Sequence, residues 1–167
     1  METDKKVLKY TDLEALRRRC TKNKQTIVFT SGCYDILHLG HVMHFNYCKE
    51  KGDVLVVSLG NDKTLCELKG PTRPINPEDF RARMIAALSV VDYVVISEEG
   101  GYLDHVKMIE KLRPDFYVVP STDKNLETKI KLAKDNGGKL IACKRLPPGH
   151  LKGGISVTKI VEKIKSL

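Results

Sequence analysis

Short, apolar, β-branched runs alternate with longer amphipathic stretches along almost the whole chain, and that alternation constrains the fold more than any other feature. The runs lie at 26–30, 54–59, 93–96, 116–119 and 139–143, with helical patterns near 40–50, 78–89, 102–112, 123–135 and 156–165. A parallel strand pair needs a crossover long enough to hold a helix, so five such strands predict a doubly wound, Rossmann-like parallel α/β sheet in a single domain. Ligands of such sheets bind beyond the carboxyl ends of the strands, where strand order reverses. Residues 1–25 read as a helical extension ahead of a domain spanning 26–167. Their helix is expected to be capped by Thr11, with Glu14 three positions on.

The segment most informative about chemistry follows the first of these strands: Gly32-Cys33-Tyr34-Asp35-Ile36-Leu37-His38-Leu39-Gly40-His41. It leads from a strand into a helix start, where unpaired backbone N–H groups and partial positive charge favour an anion. His38 and His41 are spaced to donate to adjacent phosphate oxygens, as in a triphosphate, although one of them could instead hold the loop through a backbone carbonyl. Gly32 and Gly40 would let a ligand approach the backbone closely. His44, one turn further on, reads as a packing or surface residue.

Charge and composition narrow the partners. The chain has 29 basic and 21 acidic residues, a formal charge of +8, which calls for anionic ligands without naming them. Six Tyr, four Phe and no Trp, scattered over core-like segments, do not form the basic and aromatic surface of a nucleic-acid reader, so no nucleic-acid partner is expected. The run Arg17-Arg18-Arg19 reads as a solvated helix face. No apolar stretch approaches a membrane span and the N-terminus lacks the apolar core of a signal peptide, so a cytoplasmic protein with no membrane partner is expected. Five cysteines, odd in number and never arranged as C-x-x-C, argue against a disulfide framework or structural zinc, and no metal-ligand set is expected.

The motif resembles that of the H-x-G-H nucleotidyltransferases of the cytidylyltransferase-like superfamily, written there G-x-F-D-x-x-H-x-G-H, with Tyr34 in place of the usual phenylalanine. The family's second signature, I-S-T-T before an apolar helix, is matched by Gly154-Ile155-Ser156-Val157-Thr158-Lys159-Ile160, with Val157 replacing a threonine. Lys69-Gly70-Pro71-Thr72-Arg73-Pro74-Ile75-Asn76-Pro77 and the segment 81–92 are similar to the middle of heptose 1-phosphate adenylyltransferases. The resemblance covers roughly residues 26–165.

It implies in-line attack by an acceptor phosphate oxygen on the α-phosphorus of an NTP, with pyrophosphate leaving and no nucleophilic side chain, so Cys33 has no covalent role. His38 and His41 would stabilise the transition state, with Lys69, Arg73 and Arg81 as a cationic shell and the 70–77 loop as a lid. Nucleotide contacts would come from Gly32, Cys33, Tyr34, Asp35, Gly40 and Asp123, and from Ser156 and Thr158 beside the β- and γ-phosphates. Asp35 could equally fix its own loop, Asp62 and Asp123 could be helix caps, and Ser156 could simply cap the last helix. Lys152 is a further candidate phosphate contact. Mg²⁺ would accompany the NTP. Leu151 stands where glycerol-3-phosphate cytidylyltransferases carry an arginine, which favours ATP and a sugar phosphate over CTP and glycerol 3-phosphate or another alcohol phosphate. A homodimer is implied by the resemblance alone.

Overall fold

A computed structural model describes residues 2–144 and 156–167. Its centre is a six-stranded sheet in the order β1-β4-β3-β2-β5-β6, and every strand pair is parallel. The strands are β1 (Val7–Leu8), β2 (Ile27–Gly32), β3 (Val54–Leu59), β4 (Tyr93–Ile96), β5 (Phe116–Pro120) and β6 (Lys139–Cys143). The helices are α1 (Leu13–Lys22), α2 (Leu39–Lys49), α3 (Asp62–Lys69), α4 (Glu78–Ala86), α5 (Val106–Leu112), α6 (Leu126–Asp135) and α7 (Val157–Lys165).

Alternation along β2 divides the core in two. Ile27 and Phe29 face Leu13 and Leu16 of α1, Met108 and Ile109 of α5 and Ala133 of α6. Val28 belongs to the opposite layer, with Phe45 and Cys48 of α2 and Ala82 and Ile85 of α4. Helices therefore cover both faces, as the doubly wound expectation requires. From β2 the chain builds outward through β3 and β4, then returns to place β5 on the other side of β2. The crevice between the ends of β2 and β5 is the switch point of the sheet.

Residues 1–25 form more than a helix. Val7 and Leu8 pair with Val94 and Val95 as an edge strand, and the Lys6 ammonium donates to the Val91 carbonyl at 2.8 Å. The expected Thr11 cap is not formed: Thr11 lies inside a 3-10 turn (Tyr10–Asp12), and Asp12 precedes α1, its carboxylate accepting from the Lys9 N–H. The arginine run is also not merely solvated. Arg17 holds Asp115 through two bonds, at 2.8 and 3.3 Å, and Arg19 reaches the Tyr93 hydroxyl.

Candidate active site

β2 continues two residues beyond its expected end, so that Ser31 and Gly32 are still paired to Ser58 and Leu59 of β3. The chain then turns sharply at Tyr34, which sits in the left-handed region at φ 48°. Its buried ring packs against Phe45 at 5.1 Å and edge-on against His41 at 5.2 Å. A Cβ on Gly32 would lie 2.8 Å from the Tyr34 ring, so the glycine is needed here for packing against that ring. Burial raises the Tyr34 hydroxyl pKa above the usual range.

His38 is the extended residue before α2, and its carbonyl accepts from the His41 N–H at 2.9 Å. Gly40 lies in the first turn between them. The two imidazoles stack with centroids 3.8 Å apart and planes 19° from parallel. Both histidines thus stand at a helix start beside the switch point, where an anion gains from the helix N–H groups as well as from the rings.

Asp35 is buried and accepts from Arg73 at 2.6 Å and from the Ile75 and Asn76 N–H groups at 2.7 and 3.2 Å. The Asn76 amide returns a bond to the Asp35 carbonyl. In this arrangement Asp35 holds the 70–77 loop, and Arg73 is committed to that clamp. Gly70, at φ 100°, closes α3 and starts the loop.

Arg81 is completely buried on α4. It donates to the carbonyls of Asn76 (2.9 Å), Cys33 (2.6 Å) and Gly60 (2.9 Å) and to the Asp62 carboxylate (2.7 Å). It therefore ties the loop, the tip of β2, the end of β3 and α3 into one support. Lys69 ends α3 with an exposed side chain. Burial pushes the Cys33 thiol up, with the Lys69 charge the leading opposing influence.

α3 itself was not anticipated, and its cap is Asn61, which accepts from the Thr64 N–H at 2.7 Å, not Asp62. Asp123 follows β5. Burial works to raise its pKa, but donation from Lys129 at 2.7 Å and from the Asn125 N–H outweighs this and holds the carboxyl low. Ser156 caps α7 by accepting from the Lys159 N–H at 3.3 Å, and Thr158 is exposed on its first turn. Leu151, Lys152 and Gly154 lie outside the described residues.

Two buried polar chains at the tip of β2 escaped sequence reasoning. On the α2 face, Thr30 bonds His44 Nε2 at 2.9 Å, with Cys48 and Cys143 against the same ring. On the α5 face, Asp104, His105, Tyr117 and Ser31 are linked in series. The adjacent pair Asp104-His105 was the available signal, hidden in a stretch that reads as helix. A cleft of about 620 Å³ at the β1–β4 edge involves Lys9, Asn61, Lys63, Glu78 and Ser97. It is not the candidate site, because Asn61, Glu78 and Ser97 are spent on scaffold bonds there. Among the described residues no group of three or more His, Cys, Asp or Glu is placed to hold a metal, and no helix is long and apolar enough to cross a membrane.

A switched parallel sheet with a histidine pair at the start of the helix after its central strand β2 defines a doubly wound α/β protein whose candidate site favours an anion. The cytidylyltransferase-like family model matches residues 29–163, and the chain belongs to that family. It is 40% identical over 154 residues to the bifunctional protein HldE of Syntrophotalea carbinolica, covering 91% of this chain and 29% of that protein. With HldE of Campylobacter jejuni strain RM1221 it shares 39% over 165 residues, covering 99% and 32%. The chain thus spans under a third of these curated relatives. Among solved structures, a lipopolysaccharide core biosynthesis protein from Thermoplasma volcanium superposes with a TM-score of 0.64 at 27% identity, covering 74% of this chain and 99% of that one.

Proposed function

We propose that the protein transfers a nucleoside monophosphate from an NTP, preferentially ATP, to a sugar phosphate. An acceptor phosphate oxygen bonds to the α-phosphorus, the bond from that phosphorus to the bridging oxygen breaks, and pyrophosphate leaves. The stacked His38 and His41 at the start of α2 carry this reading, because two donors within reach of one anion suit charge that grows on the phosphates during transfer. Lys69 supplies an exposed cation from the end of α3. Arg73 and Arg81 act by positioning, one on the loop and one beneath the tip of β2, with Asp35 as the partner of the first.

The remaining nucleotide contacts of this proposal are the tip 32–35, Gly40, Asp123, Ser156 and Thr158. The donors around the motif are imidazoles, ammonium and backbone N–H groups, which fit phosphate oxygens and do not form a metal cage. Mg²⁺ would accompany the NTP, and when bound it would supply neutralisation of phosphate charge. The working form is a cytoplasmic homodimer with small-molecule partners and no nucleic acid.

A matrix of NTPs against phosphorylated sugars and alcohols, scored by pyrophosphate release, tests the reading. ATP with a sugar phosphate should be the best pair. A tenfold advantage for CTP with glycerol 3-phosphate would reverse the substrate assignment, and release of orthophosphate in place of pyrophosphate would overturn the reaction class. Light scattering should show twice the 18.8 kDa chain mass.

A further inference from the structure

Ser31 lies half-buried at the tip of β2, one residue before Gly32, and its side chain meets Tyr117, a member of the core layer that includes α5. Its hydroxyl is 2.8 Å from the Tyr117 hydroxyl, which is 2.6 Å from His105 Nε2, while His105 Nδ1 is 3.1 Å from an Asp104 carboxylate oxygen. Tyr117, His105 and Asp104 are 0, 1 and 7% exposed. A buried polar chain of this length is costly unless each member is satisfied, and one assignment of the hydrogens satisfies all four groups.

The direction can be followed from the carboxylate, which only accepts. His105 is therefore assigned as the donor from Nδ1, the tautomer that leaves Nε2 as an acceptor. It takes the single Tyr117 proton, and burial holds that phenol protonated by raising its pKa. The Tyr117 oxygen then accepts from Ser31, whose only proton is directed inward. What Ser31 offers to the β2–β5 crevice is a pair of oxygen lone pairs.

We propose that Ser31 is a specificity-determining contact for the ribose of the nucleotide, held by the Asp104–His105–Tyr117 chain as a hydrogen-bond acceptor for a ribose hydroxyl. The proposal rests on the nucleotidyltransferase reading above, which puts the phosphates at His38 and His41 and so brings the ribose, the next group along the ligand, to this end of the crevice. An acceptor-only Ser31 repels a phosphate oxygen and welcomes a hydroxyl. Tyr117 and His105 are positioning residues that act through it.

The test is calorimetric binding of ATP, 2′-deoxy-ATP and 3′-deoxy-ATP to the full chain without acceptor. The wild type should bind ATP roughly tenfold more tightly than one of the two deoxy analogues. Ser31→Ala should bind that analogue and ATP within about twofold of each other, Ser31→Thr should restore the discrimination, and Tyr117→Phe should reduce it even when circular dichroism shows a native fold. ATP binding without discrimination, or discrimination that survives Ser31→Ala, overturns the assignment while leaving the reaction class standing. Failure of both ATP and CTP to bind overturns the assignment together with the nucleotidyltransferase reading.

Discussion

The imidazoles of His38 and His41 lie face to face, 3.8 Å between centroids, with His38 at the residue before α2 and His41 three positions on. Two imidazoles this close repel one another when both are charged, and an anion in front of the pair relieves that repulsion.

His41→Ala should lower turnover by about a hundred- to a thousandfold, or 3–4 kcal/mol, because it removes a preorganised donor where charge develops. Nucleotide affinity should fall less. Pyrophosphate release measured beside circular dichroism checks both, and a folded variant with near-wild-type turnover would remove His41 from the mechanism.

The Asp35 clamp gives a second expectation. Asp35→Asn keeps the shape but weakens the Arg73 pair and the bonds from Ile75 and Asn76, so the 70–77 loop should loosen. A cost of about 1.5–3 kcal/mol follows for charge-assisted bonds of this kind. Limited proteolysis should cut within the loop faster than in the wild type, and the KM for substrate should rise more than kcat falls. An unchanged cleavage pattern would show that Asp35 does not hold the loop.

The five main strands were legible because apolar runs such as 54–59 are buried on both faces and carry no competing signal. β1 was not, since two residues between lysines have no measurable period, and their strand character comes entirely from pairing with Val94 and Val95. α3 was hidden by its length and mixed composition, and it is fixed by the Asn61 cap. His38 and His41 were visible because their spacing is local. The direction in which Arg81 points was not: an arginine in sequence looks the same whether it faces a phosphate or three backbone carbonyls. The two chains behind the tip of β2 join residues up to 99 positions apart, a separation that no local pattern reports.

His44 carries a pH dependence. Burial lowers its pKa to about 4, below the ordinary value of 6.5. Between those values the unfolded chain binds more protons than the folded one, so the stabilising contribution is complete above pH 6.5 and is lost as pH falls toward 4. The expected loss is about 3 kcal/mol. His44→Gln removes the titration, so the gap between the wild-type and variant unfolding midpoints should change in the variant's favour from pH 7 to pH 4.5. A constant gap would contradict the burial of a neutral ring.

Arg81 and Lys69 separate support from chemistry. Arg81→Met leaves the carbonyls of Cys33, Gly60 and Asn76 and the partly exposed Asp62 carboxylate without their donor, and losing charge-assisted bonds of this kind costs about 1.5–3 kcal/mol. Arg81→Lys should recover only part of this, because an ammonium cannot reproduce the planar fork that spans four acceptors. Lys69 is exposed, so Lys69→Ala should change stability by less than about 0.5 kcal/mol. Yet Lys69→Ala should reduce pyrophosphate release by about tenfold or more if the ammonium approaches the phosphates. Urea unfolding and turnover on the three variants therefore give opposite signatures. If Arg81→Lys remains as stable as the wild type while losing turnover, and Lys69→Ala loses neither, Arg81 contacts substrate directly and the positioning role assigned to it is wrong.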